Sequence, residues 1–198
     1  MMTQQLISTA MSYEQYIQLL ETLLKEGKTT GPLQNDEYLN YGKVNLQRMH
    51  RLHKTLVLSP ELTQAMAGLK EDYIWLVITE GWCGDASQNL PYLHALSKLN
   101  AHVQLRLILR DEHTEVIDRY LTNGARAIPK LICLKQADLK EQFVWGPRPA
   151  LLQDMVMELK KKNVSKEEKG LTTQKWYNSD AGKELQLELL KLVKAHMH

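Results

Sequence analysis

Residues 73–91 read YIWLVITEGWCGDASQNLP, and the order of residue types in this stretch decides the architecture. Tyr73–Thr79 is wholly apolar up to its last residue and rich in β-branched and aromatic side chains, with no polar alternation. That is the pattern of a short strand covered on both faces. Gly81-Trp82-Cys83-Gly84-Asp85 then turns the chain, and Leu90, Leu93, Leu96 and Leu99 recur at helical spacing. A covered strand running straight into a helix predicts an α/β layer structure with the turn at one end of the sheet.

Working outward, Val103–Leu109 (VQLRLIL) reads as a second strand. Glu112–Leu121 reads as a helix that stops at Asn123-Gly124, and Leu131–Leu134 and Gln142–Trp145 read as two further strands. The order β-α-β-α-β-β-α therefore runs from Tyr73 to about Lys162 and predicts an open α/β sheet. Upstream, Ser12 and Gln15 form a capping-box pair ahead of Tyr16, Leu19, Leu20, Leu23 and Leu24, with Gly27 as the C-terminal stop. A second helix is expected from Asp36 to about Lys54 with Tyr41, Val44, Met49, Leu52 and Leu56 inward, and Ser59-Pro60-Glu61 marks another helix start. The charge run Lys160–Lys169 (KKKNVSKEEK) reads as a helix end and linker, before one closing amphipathic helix through Leu185, Leu189, Val193 and Met197. These features divide the chain into a helical extension over 1–55, an α/β domain over 56–162, and a linker with a C-terminal helix over 163–198.

Lys plus Arg is 25 and Asp plus Glu is 23 among 198 residues, a net charge of +2. That balance excludes the basic footprint of a nucleic-acid binder and the charge excess of a disordered tail. No apolar run approaches the ~20 residues of a membrane span. Met1–Ser12 has neither a basic region nor a continuous apolar stretch, so no secretory signal and a reducing cytoplasm are expected. Two cysteines, Cys83 and Cys133, cannot make a disulfide framework. His50 and His53 share a helix face, but no nearby Cys or Glu in sequence completes a metal set, and helix-surface histidines are expected. No phosphate-cradling loop or dinucleotide fingerprint is present, and no cofactor is expected.

The position with chemical content is Cys83. Unpaired backbone N–H groups and the positive end of a helix dipole should point near its sulfur and favour the thiolate. Asp85, two residues on, works against a second negative charge, and Lys130 would offset it if its strand lay alongside. The alternative is a small buried hydrophobe at a strand-to-helix corner.

Trp82-Cys83-Gly84-Asp85-Ala86, Pro91 eight residues after the cysteine, the loop Gly124-Ala125-Arg126-Ala127-Ile128-Pro129-Lys130-Leu131, and Gly146 after the last strand together resemble the thioredoxin family. The phrases EGWCGDASQ, LRDE and YLTNGARAIPKLI are similar to a bacterial thioredoxin-like subfamily of unassigned role. The resemblance spans roughly Leu56 to Lys162. It implies a thioredoxin fold, a cis-proline at Pro129 against Cys83, and a substrate groove lined by Gly146. Two departures limit the implied activity. The second cysteine of C-x-x-C is replaced by Ala86, and the family's buried acid falls at Val77. A dithiol cycle confined to this site is therefore not available. Cys133 lies four residues past Pro129, roughly 13 Å along a strand, and reads as core packing. Ser87 reads as a surface hydroxyl on the first helical turn.

Three functions remain open. In the first, Cys83 is a monothiol nucleophile forming mixed disulfides with a protein or a small thiol such as glutathione, resolved by an external thiol. Trp82, Gly84 and Asp85 would then shape the rim, Ile128 and Pro129 would pair with an extended substrate strand, and Lys130 and Arg126 would attract an acidic partner. The others are a redox-inactive binding module that keeps the groove, and a redox sensor oxidised at Cys83 without turnover.

Overall fold

The computed structural model describes residues 2–197; Met1 and His198, at the ends of the stretches read above, lie outside the described residues. Four strands form one sheet in the order β2-β1-β3-β4. β1 (Tyr73–Thr79) pairs parallel with β2 (Val103–Leu109) and antiparallel with β3 (Lys130–Lys135), which pairs antiparallel with β4 (Glu141–Trp145). Every β1 residue is buried, as a central strand covered on both faces requires. Cys133 sits opposite Trp75 on one side and Phe143 on the other and is fully buried, so it packs in the sheet's core.

Nine α-helices surround the sheet among the described residues. α1 (Gln4–Thr9) and α2 (Tyr13–Lys25) come first, and the Ser12–Gln15 capping box forms at the start of α2. Between them Met11 makes an antiparallel bridge to Leu107 and covers part of the outer edge of β2. α3 (Asp36–Thr55) lies against α5 (Gly84–Ser97), α4 (Pro60–Ala67) begins at the Ser59-Pro60 cap, and α6 is a single turn, Thr114–Ile117. α7 (Ala150–Lys161), α8 (Lys166–Asp180) and α9 (Lys183–His196) complete the chain. One apolar cluster joins Tyr16, Leu20 and Met49 of the N-terminal helices, the strands, and Leu185, Leu189 and Val193 of α9. A smaller one, Leu152, Val156 and Tyr177, holds α7 to α8. No described helix is long and apolar enough to cross a membrane.

Three expectations are corrected. Tyr41 and Val44 are exposed; the inward face of α3 carries Gly42, Asn45 and Met49. Apolarity misleads there because the helix meets the corner before Cys83 with a polar residue: Asn45 Nδ2 donates to the Gly81 carbonyl at 3.0 Å. Only four of the residues read as a helix over Glu112–Leu121 are helical. The charge run does end a helix, α7 at Lys161, but its connecting part is only residues 162–165 and Lys166 already opens another helix. Ser165 caps α8, accepting from the Glu168 N–H, and Glu167 and Glu168 occupy its favourable first turn, so two helices follow α7 instead of one.

Glu188 of α9 closes the end of the sheet nearest the corner. Its two carboxylate oxygens accept from Trp145 Nε1 and from the Ala150 N–H, each at 2.6 Å, and so satisfy the uncapped start of α7. Between these points the chain reads Gly146-Pro147-Arg148-Pro149. Gly146 has φ +110°, and a Cβ built there would stand 2.3 Å from the Pro129 carbonyl oxygen. The Ile128–Pro129 and Gly146–Pro147 peptide bonds are both cis. Gly146→Ala is expected to destabilise the fold by about 2 kcal/mol or more, since it adds a backbone clash to a conformation that side chains disfavour. Denaturant unfolding monitored by tryptophan fluorescence checks this, and an unchanged midpoint would contradict the close approach.

Candidate functional site

Cys83 is the N-cap residue of α5, and the Ala86 N–H points at its sulfur at 3.4 Å. The expected backbone donor is thus in place. On the other side the thiol donates to the Ile128 carbonyl oxygen at 3.3 Å, next to the buried Pro129. Only a protonated sulfur can make that second bond. Cys83 is 8% exposed, and burial first, then the Asp85 charge, push its thiol up to about 12. Ala86 and Arg148 pull the other way without prevailing. The sequence sets the helix terminus against Asp85 and leaves the balance open; in the structure desolvation outweighs the helix terminus, and the resting sulfur is a neutral thiol.

Asp85 lies at the centre of the surrounding network. Arg148 Nη2 meets its Oδ2 at 2.7 Å, and the Tyr177 hydroxyl donates to its Oδ1 at 2.9 Å. Asn89 Nδ2 donates in turn to the Tyr177 oxygen at 3.2 Å. The Asp85 side chain is 12% exposed, and burial raises its carboxyl above the ordinary range while Arg148 and Tyr177 draw it back. The Asp85 charge holds Arg148 protonated against its own burial. A second guanidinium, Arg48 of α3, bonds Asn45 Oδ1, Ser87 Oγ and Gln174 Oε1, all neutral, and its field also reaches Asp85. Ser87 is therefore buried within this network and is not a surface hydroxyl; its own hydroxyl donates to the Gly84 carbonyl.

Lys130 is placed differently from expectation. It is 4% exposed, and its Nζ donates to Thr122 Oγ1 at 2.6 Å and to the Gly146 carbonyl at 2.9 Å. Burial lowers it to about 8, and it braces the two loops without offsetting Asp85, a task that falls to Arg148. Arg126 is exposed and paired with Asp118 at 2.6 Å. Trp82 stands half-buried beside the cysteine, with the Arg110 guanidinium 4.7 Å over its ring and Tyr38 edge-on at 5.3 Å. Gly84 is exposed, with nothing within 4 Å of a Cβ built on it.

Glu80, three residues before Cys83, is fully buried. Its Oε1 accepts from the Asp111 N–H at 2.9 Å, and burial raises its carboxyl. The adjoining Gly81 N–H donates to Thr30 Oγ1 at 2.8 Å. The corner is thereby fastened from below by residues of the N-terminal half. His50 faces Glu21 at 3.3 Å, and His53 stacks on His94, which bonds Glu14 at 3.1 Å. No group of three ligating side chains among the described residues could hold a metal.

Sequence reasoning missed Arg148, Tyr177, Arg48, Asn45 and Glu80. Two left a signal: an arginine between two prolines directly after the last strand, and an acid at the end of an otherwise apolar strand. Tyr177, 92 residues after Asp85 along the chain, left none.

A family model described as thioredoxin matches residues 31–163. Among solved structures, a protein of unknown function from Pseudomonas aeruginosa superposes with a TM-score of 0.64 at 16% identity, covering 98% of each chain. An HIV epitope-scaffold superposes at 0.56, also at 16% identity, over 93% of this chain and 98% of its own. At that identity both speak for the fold alone. No curated protein matches the chain. The match covers well over half of the sequence, including β1, the Cys83 corner, the Pro129 loop and the sheet order above, and the chain belongs to the thioredoxin family.

Proposed function

We propose that Cys83 is the lone nucleophile of a thiol–disulfide exchange site within a domain over 56–162, with 1–55 and 163–198 as the helical layers that close it. The carrying observation is the Sγ–Ile128 carbonyl contact at 3.3 Å. It sets the sulfur beside the backbone of Ile128 and Pro129, where an extended peptide or glutathione-like partner would pair. Trp82, Gly84 and Asp85 form the rim, and Lys130 supports the loop from behind.

In the exchange, the Cys83 thiol first loses its proton to solvent. The thiolate attacks one sulfur of a partner disulfide, the partner's S–S bond breaks, and one partner thiolate leaves and is protonated. Cys83 is oxidised to a mixed disulfide and the departing thiol is reduced. With Ala86 in the resolving position, an external thiol must attack the mixed disulfide to regenerate Cys83. A reducing cytoplasm would supply it. Because the resting thiol is neutral, exchange at neutral pH is slow unless the site is remodelled.

A second reading draws on that same burial. A thiol 8% exposed and pushed up to about 12 also suits a binding module that keeps the groove without turnover.

Incubating the reduced protein with oxidised glutathione at about pH 9, near the free-thiol range, separates the readings. Mass spectrometry should find one glutathione per chain, attached at Cys83, lost in Cys83→Ser and kept in Cys133→Ser. A protein that stays unmodified, or is modified at Cys133, favours the binding module. Asp85→Asn should raise the rate of Cys83 alkylation by iodoacetamide at about pH 8 by about tenfold, because it removes the nearest negative charge and leaves Arg148 facing the sulfur. It should also lower stability, by about 1–3 kcal/mol, through the loss of a largely buried pair. An unchanged alkylation rate would show that Asp85 does not govern the thiol.

A further inference from the structure

α8 is joined to the rest of the molecule in an unusual way. Among its described residues Tyr177 alone is buried, and its apolar contacts form the small cluster with α7, apart from the main core. Toward α3 and α5 it is held by polar contacts: Lys166 to Glu37, Gln174 to Arg48 and to Gln88, and Tyr177 to Asp85 and Asn89. Both of its ends are left-handed joints. Asn163 has φ 52° before it, and Ala181 and Gly182 have φ 52° and 78° after it. Gly182 is irreplaceable there, since a Cβ would stand 2.3 Å from the Tyr92 ring. The helix lies beyond the end of the family match, and it still places a hydroxyl on the acid beside Cys83.

We propose that α8 is a hinged strap and Tyr177 its clasp, a positioning residue that holds Asp85 in place beside Cys83, so that the docked helix keeps the thiol unreactive and its release activates it. This regulation rests on Cys83 being the reactive group of the site. The groups facing Asp85 are Arg148, Tyr177, Arg48 and Cys83 itself, and they come from the loop before α7, from α8, from α3 and from the start of α5. Lifting α8 removes the Tyr177 donor and admits water to the Asp85–Arg148 pair. Water screens the carboxylate's field at the sulfur and relieves the desolvation of the site. Both changes act in one direction, toward thiolate. Contacts of this kind are weak enough to be exchanged for those of a partner, because each is a polar bond that water can replace.

The test reads α8 and Cys83 separately. Hydrogen exchange of the wild-type protein should show the amides of residues 166–180 opening more readily than those of α5, the expected ranking for a segment with little buried apolar contact. Gln174→Lys sets an ammonium against Arg48 without touching Asp85 or Cys83. It should speed exchange in α8, leave protection in β1 and α5 unchanged, and raise Cys83 alkylation by about fivefold or more, with the pH–rate profile displaced to lower pH. Tyr177→Phe keeps the ring and removes the bond by which α8 holds Asp85, so α8 should open more often, exchange faster and displace the profile the same way by a smaller amount. The strap is overturned if α8 is as well protected as α5, or if both variants alkylate at the wild-type rate and pH. Alkylation requires no disulfide partner. Faster alkylation without a glutathione adduct would therefore remove the exchange reading and leave the strap standing, and an adduct formed at an unaltered alkylation rate would do the reverse.

Discussion

Asp85 carries a charge two residues from a thiol, largely shielded from water, and that single placement organises the rest of the site. A carboxylate with 12% of its side chain exposed must be matched by donors or lose its charge. The chain supplies Arg148 from the turn after β4 and Tyr177 from α8, at 2.7 Å and 2.9 Å. Each donor ties a distant element to the start of α5. The pair with Arg148 fixes the Gly146–Pro149 turn, whose carbonyl at Gly146 in turn holds Lys130, and Lys130 follows the proline whose neighbour, Ile128, accepts the thiol's hydrogen bond. Removing the acid would leave Arg148 without its carboxylate and the Tyr177 hydroxyl without its acceptor.

The N-terminal half has a comparable role on the opposite side. Thr30 and Asn45 bond the N–H and the carbonyl of Gly81, and Arg48 reaches Ser87 one turn into α5. The corner that presents Cys83 is therefore held by polar bonds from residues far away in sequence, and by Glu80 from beneath. These buried bonds contribute more to geometry than to net stability, since each replaces a bond to water; losing one partner would leave a desolvated group at a cost of about 1–3 kcal/mol. The site's shape is thus a property of the whole chain, although the family match begins only at residue 31.

How much of this the sequence reveals follows from the physics of each signal. Strands β1 and β2 are legible to the residue because continuous apolar runs bounded by turns leave few alternatives, and the Cys83 corner and the Pro129 loop are legible because short motifs mark them. α8 was hidden, because its face toward α3 and α5 is polar and a charge run looks the same in a helix as in a linker. On α3 the apolar pattern locates Met49 on the inward face but misplaces Tyr41 and Val44 for the same reason: the other residues that face inward, Gly42 and Asn45, are not apolar. The ionisation of Cys83 lay furthest from view. Its dominant cause is burial by several elements at once, and spacing along the chain carries no record of that. Lys130 and Arg126 were the visible cations, but the cation that meets Asp85 is Arg148.

A neutral, nearly sealed thiol that faces the Ile128 carbonyl is the state from which any chemistry of this protein must start. Following Cys83 carbamidomethylation by peptide mass spectrometry across about pH 6 to 10 addresses it most directly. The rate should climb about tenfold per pH unit with no levelling, as for a thiol whose pKa lies above the whole range. A plateau with a midpoint at or below about 8.5, the value of a free thiol, would mean that the sulfur is an exposed or activated thiolate and that the burial described here does not control it.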